Sequence, residues 1–140
     1  MRKEPLFETL KSLVYKAATE VNDTFDRRRG WGTAHKDVVT PCIDKLDGQI
    51  IVGLTFEDRM VFKGKVFKQT NTWSIPYMRG MTGGMIINQL CDHFTDGRIA
   101  YMLASDEELL KVCDGKGMVH PDNYIKERNR MKLEGEVSFV

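Results

Sequence analysis

The residues best placed to do chemistry in this chain lie in one stretch, Ile75-Pro76-Tyr77-Met78-Arg79-Gly80-Met81-Thr82-Gly83-Gly84-Met85-Ile86-Ile87-Asn88-Gln89-Leu90. Three glycines and one arginine stand between a β-rich run and an apolar-periodic run. Glycine lets a backbone turn tightly enough for several N–H groups to point at one anion. A helix that follows adds its unpaired first donors and the positive end of its dipole. Strand, glycine turn and helix together predict a phosphate cradle, although the same turn also opens helices that bind nothing.

Other reactive residue types are dispersed. His35, His93 and His120 have no metal-ligand spacing, so no metal is expected. Cys42, Cys91 and Cys113 are far apart and odd in number, which suits reduced thiols better than a disulfide frame. A Cys–His nucleophile would need Cys91 or Cys113 to meet a histidine in space. No Gly-x-Ser-x-Gly elbow and no Gly-x-x-x-x-Gly-Lys-Ser/Thr loop is present, so hydrolase and nucleoside triphosphatase chemistry fall behind.

The elements that must position these residues follow from periodicity. Leu6, Leu10, Leu13, Val14, Ala17 and Val21 recur at helical spacing and predict a first amphipathic helix, closed by Asn22-Asp23 or by Arg29-Gly30. Asp26 to Gly32 reads as a loop, in which Trp31 either anchors the segment or shapes a ligand pocket. Lys36 to Leu46 reads as a second, short helix. Beyond the Asp47-Gly48 turn, Gln49 to Phe56 and Met60 to Phe62 predict strands with a hairpin turn at Glu57-Asp58; Val66 to Lys68 extends the second. Thr70 to Tyr77 is a further strand, with Pro76 suiting an edge or a bulge. A helix from Met85 to Phe94 closes at Asp96-Gly97. Arg98 to Ala104 reads as a buried strand. Ser105 caps a helix carrying Leu109, Leu110, Val112 and Cys113. His120-Pro121 reads as a loop, and Met131 to Val140 alternates like a final strand.

With 140 residues and 41% apolar residues, the chain fits one compact domain with a real core. A formal charge of +1 argues against a long electrostatic footprint, so nucleic acid is not the expected partner. No long apolar run predicts a membrane span, and Met1-Arg2-Lys3-Glu4-Pro5 does not lead into a secretory core. The expectation is a cytoplasmic α+β domain.

The order of these elements and their residues resembles the GCN5-related N-acetyltransferase (GNAT) family. Its core motif is Val-x-Pro-x-x-Arg-Gly-x-Gly-x-Gly, matched by Ile75-x-Pro76-x-x-Arg79-Gly80-x-Thr82-x-Gly84. A second family segment, Asn-x-x-Ala-x-x-Leu-Tyr-x-x-x-Gly-Phe, has its counterpart in Asp106-x-x-Leu109-x-x-Val112-Cys113-x-x-x-Gly117-Met118 at the same spacing. The likeness covers roughly residues 48 to 140, and the family requires a helix and a strand between the two segments. It implies a single domain with a mostly antiparallel mixed sheet flanked by helices: residues 1–46 as an N-terminal helical part, and residues 48–140 as the sheet with the cofactor core.

The resemblance further implies transfer of acetyl from acetyl-CoA to a primary amine by direct attack. Pantetheine would pair with the backbone of Trp73 to Tyr77, including Ile75. The pyrophosphate would sit on Arg79, Gly80, Met81, Thr82, Gly83 and Gly84, with Asp106 contributing from the second segment. Glu57 is the candidate base. Cys113 stands where the family often places a tyrosine that protonates the leaving thiolate, and Tyr101 or Tyr77 could substitute. Thr82 replaces a family glycine.

The acceptor would be a small-molecule or protein amine. Pairing of a terminal strand, Leu133 to Val140, allows a homodimer. The same departures from the family motif equally fit a non-catalytic GNAT-like domain or an unrelated α+β protein-interaction domain, with eight methionines supplying an adaptable surface. Small domains of that kind, with degraded motifs, are at home in a phage.

Overall fold

Leu10, Val14, Ala17, Ala18, Val21 and Phe25 recur every three or four positions, and all six are buried along one face of helix α1 (Pro5–Arg29). Proline at its first position costs nothing, because that N–H has no intrahelical partner. The computed structural model describes residues 5–29, 38–113 and 121–133. Among them lie five helices and one three-stranded antiparallel sheet, an α+β fold.

The sheet is a meander of β1 (Val39–Leu46), β2 (Gln49–Phe62) and β3 (Lys65–Pro76) in the order β1-β2-β3. β1 and β2 pair from Val39↔Phe56 to Leu46↔Gln49 around the two-residue turn Asp47-Gly48. Both turn residues have positive φ, 49° and 78°, as a tight hairpin with right-handed strand twist requires. The β2–β3 turn, Lys63-Gly64, repeats the device with φ of 50° and 74°. Its register is fixed by the Tyr77 N–H donating to the Ile50 carbonyl at 2.8 Å, and by the Thr55 and Thr72 hydroxyls 3.0 Å apart. Ile50, Val52, Leu54 and Phe56 alternate inward along β2.

The chain divides into two compact units. The first comprises residues up to Glu57 and Thr70–Phe94: α1, β1, the first part of β2, the last part of β3, and α2 (Gly83–Asp92). In it α1 packs against both β1 and α2. Gly53 lets β3 approach β2, since a Cβ there would stand 2.6 Å from the Trp73 carbonyl oxygen. Trp73 stacks on His93 with ring centroids 4.3 Å apart, and Phe56 and Phe94 meet edge-on beside them.

The second unit comprises Asp58–Gln69, which is the tip of the β2–β3 hairpin, with α3 (Asp96–Leu103), α4 (Asp106–Cys113) and α5 (Pro121–Leu133). Its core gathers Val61, Tyr101, Ala104, Leu109, Val112, Cys113, Tyr124 and Met131. Tyr101 meets Tyr124 edge-on at 5.4 Å.

Several elements differ from the sequence expectation. Arg98 to Ala104 is helix α3 rather than a strand: Thr95 caps it by accepting from the Arg98 N–H, and Asp96 favours its positive end. A short apolar run does not distinguish a buried strand from a buried helix, and here the cap decides. Two helices therefore follow the glycine turn where the GNAT order has a helix and a strand.

Residues 39–46, expected in a helix, form edge strand β1; β-branched Val38, Val39 and Thr40 favour extension, and an edge tolerates Pro41. Glu57 and Asp58 lie within β2, and the hairpin turns instead at Lys63-Gly64. Helix α1 continues through Asp26 to Arg29. Pro121 opens α5, and Met131–Leu133 end that helix rather than begin a strand. The expectations for residues 30–37, including Trp31 and His35, for residues 114–120, and for the tail at 134–140 lie outside the described residues.

Candidate functional site

The glycine stretch does form the expected strand, turn and helix. β3 ends at Pro76, Gly80 takes the positive φ of 93°, and α2 begins at Gly83. The turn is closed by the Met81 N–H donating to the Met78 carbonyl at 3.1 Å, while the Met78 N–H points at the Met81 sulfur, also 3.1 Å away. Thr82 has an ordinary extended φ of −85° and is the N-cap, its hydroxyl accepting from the Met85 N–H at 3.2 Å. The family glycine that Thr82 replaces is therefore not needed for backbone freedom here.

The remaining glycines have distinct reasons. A Cβ on Gly83 would stand 3.0 Å from Leu13 Cδ2, so that glycine serves the packing of α2 on α1. Gly84 faces open space apart from the Thr82 hydroxyl at 3.9 Å. At a helix start the first amides, here those of Gly83 and Gly84, have no intrahelical acceptor.

Around this turn lies a cleft of about 470 Å³ lined by Ile75, Pro76, Met78, Arg79, Gly80, Met81, Met85 and Gln89. Arg79 is the single charged residue among them. Met78 and Met85 are 58% and 45% exposed, a large thioether surface left to solvent. Met85 and Gln89, four residues apart in α2, share one side of that helix, and Met81 precedes its N-cap beside them in the cleft. That spacing was the available signal for Met85 and Gln89, which reasoning from glycines alone overlooks. Tyr77 adjoins the cleft in sequence, but its N–H is committed to Ile50 and its carbonyl accepts from Gln49 Nε2 at 3.1 Å.

Of the other candidates in the first unit, Glu57 is exposed on β2. Cys91, also in this unit, has its thiol 3.9 Å from the Ala17 carbonyl and 3.7 Å from a Glu20 carboxylate oxygen. Burial, followed by the Glu20 charge, pushes its pKa up to about 11, so the unreactive thiol form dominates.

In the second unit, Tyr101 is 2% exposed, and its hydroxyl donates to the Arg59 carbonyl at 3.1 Å. Burial first, then neighbouring Cys113 and Asp58, push it up to about 12. Arg59 turns back onto the same helix, donating to the Tyr101 and Met102 carbonyls at 2.8 and 2.9 Å and to Asp106 at 2.9 Å. Asp106 is thus half of an ion pair with Arg59, whose other bonds reach the end of α3. Cys113 is fully buried in the core that also holds Tyr101 and Tyr124. The Tyr124 hydroxyl donates to Glu108, which Arg128 also engages at 3.2 Å. Burial and that hydrogen bond raise the Tyr124 pKa far above its ordinary value. Inside this unit Tyr101, Asp106 and Cys113 are accounted for by packing and by Arg59.

Among the described residues no group of three His, Cys, Asp or Glu side chains could hold a metal ion, and no helix is long and apolar enough to cross a membrane. No protein-family model, curated protein or solved structure matches the chain.

Proposed function

We propose that this chain is a non-catalytic α+β protein-interaction domain whose working surface is the methionine-lined cleft at the entrance of α2. The observation that carries this reading is the exposure of Met78 and Met85 beside Ile75 and Pro76, with Arg79 as the sole charge in the lining. Unbranched thioethers adapt to many apolar shapes, which suits a surface that accepts a segment of a partner. Arg79 selects a partner that brings an acidic group next to its apolar residues.

A second reading, acetyl transfer from acetyl-CoA to a primary amine, is favoured by one observation, the unpaired amides at Gly83 and Gly84 beside Arg79. In that reading Glu57, Tyr101 or Cys113 would handle protons. Helix α3 stands where the family's order calls for a strand, which is why this reading ranks second.

Selection of random peptides on the protein tests the first reading. Enriched sequences should combine apolar residues with Asp or Glu, lose binding to Met85→Glu and weaken on Arg79→Ala. Failure to enrich any peptide, or binding indifferent to Met85→Glu, overturns it. Thermal unfolding with acetyl-CoA tests the second, because a ligand specific for the folded state raises Tm. A rise with acetyl-CoA and free CoA, absent with ATP, would promote acetyl transfer to first place.

A further inference from the structure

From Arg59 to Cys91 the chain holds no acidic residue, and four of its five cations there, Arg59, Lys63, Lys65 and Lys68, fall in the hairpin tip. Arg59 is committed to Asp106 and to two carbonyls. The three lysines are all exposed, within six residues of one another. Beside them stand two large apolar side chains that solvent reaches, Phe62 at 51% and Phe67 at 48%.

The hairpin register decides what this ribbon presents. A two-residue turn at Lys63-Gly64 pairs Phe62 with Lys65, Val61 with Val66 and Met60 with Phe67. Alternation then puts Met60, Phe62, Lys65 and Phe67 on one face. Val61 and Val66 take the other face and meet the core of the second unit, as their burial confirms. The two phenylalanines are diagonal neighbours on adjacent strands, about 7–8 Å apart. Lys63 sits over the Phe62 ring, 5.3 Å from its centroid, which places an ammonium beside that ring.

We propose that this hairpin face binds single-stranded nucleic acid, with bases stacking on Phe62 and Phe67 and phosphates held by Lys63 at the turn and Lys65 beside the rings. Exposed rings interleaved with cations are the two components such binding needs: a π-surface that accepts any base and a positive track for the backbone. Charge complementarity selects a polyanion. The position of the rings selects among polyanions: the apex of the hairpin is Lys63-Gly64, so no apolar tip leads into a lipid layer, and the phenylalanines lie on the flat of the ribbon behind it. A footprint of two lysines is also compatible with a chain whose formal charge is only +1.

Fluorescence anisotropy of labelled oligothymidine, titrated with the full-length protein at several salt concentrations, tests the proposal. Binding is expected at low salt, with a slope of log affinity on log salt of about −1.4 for two phosphate contacts to a single strand. Phe62→Ala and Phe67→Ala should each weaken binding roughly 5- to 150-fold. Replacing Lys63 and Lys65 by glutamine should abolish binding. All these side chains are exposed, and thermal unfolding of each variant verifies that it remains folded. Absence of binding at low salt would overturn the proposal, as would binding unaffected by the double phenylalanine variant. Equal or tighter binding to duplex DNA, to polyglutamate or to phosphatidylserine vesicles would overturn it in favour of that partner.

Discussion

The side-chain amide of Asn22 holds both backbone groups of Val39. Its Oδ1 accepts from the Val39 N–H at 3.0 Å and from the Val38 N–H at 2.8 Å, while its Nδ2 donates to the Val39 carbonyl at 3.0 Å. A primary amide thus stands in for the peptide group of a neighbouring strand, and it docks the start of β1 on α1. Asn22 is also the one buried polar side chain of the described core. Replacement by alanine strands these buried backbone groups, each of which costs about 1–3 kcal/mol when left unsatisfied. Asn22→Ala should therefore lower the urea midpoint sharply, and Asn22→Asp should not restore it, because a carboxylate has no donor for the Val39 carbonyl.

Gly53 and Gly84 should respond to alanine in opposite directions. At Gly53 the new methyl would stand 2.6 Å from the Trp73 carbonyl oxygen and 2.9 Å from Ser74 Cβ, so β3 must move. Overpacking of this kind costs about 1–3 kcal/mol. At Gly84, in the first turn of α2 with space around it, alanine should stabilise by about 0.5–1 kcal/mol. Chemical unfolding of the two variants checks both signs.

Arg59 is the fastener of the second unit, its side chain 11% exposed against 53% for Asp106. Arg59→Ala removes charge-assisted bonds to two helix-end carbonyls, a loss of about 1.5–3 kcal/mol for such contacts. Asp106→Asn should cost about 1 kcal/mol or less, since the exposed carboxylate is solvated without its partner. Lysine cannot reproduce the fork that reaches three acceptors, so Arg59→Lys should resemble the alanine variant.

Stability should decline in alkali in two stages. Both Cys91 and Tyr101 have pKa values raised by burial, so the folded state holds their protons longer than the unfolded chain does. Their contribution is fully present below the unfolded values and disappears as pH rises through the folded ones. For Cys91 the loss runs from pH 9.0 to about 11, and for Tyr101 from pH 10.0 to about 12. Tm measured against pH should fall across this window. Cys91→Ala should flatten its lower part, and Tyr101→Phe should reduce but not abolish the fall in its upper part, where Tyr124, also raised by burial, contributes as well.

Sequence periodicity settled the body of α1, because apolar residues at helical spacing mark one amphipathic face, but not its continuation through Asp26 to Arg29. It also settled the strand, turn and helix from Ile75 to Leu90, where glycine conformational freedom and helix spacing act locally. Two elements were beyond it. Arg98 to Ala104 is apolar enough for a strand or a helix, and the Thr95 cap together with a core shared with Tyr124 made it α3. Residues 39–46 contain a proline that opens helices and also ends sheets, and pairing with β2 and docking to Asn22 made them β1. The cap is local, but the packing of α3 with Tyr124 and the pairing and docking of β1 are long-range, and no local pattern carries those. The candidate site divides the same way. Glycine, arginine and threonine at the turn were legible, but only the tertiary structure left Met78 and Met85 exposed beside Ile75 and Pro76 and so gave the cleft its apolar character.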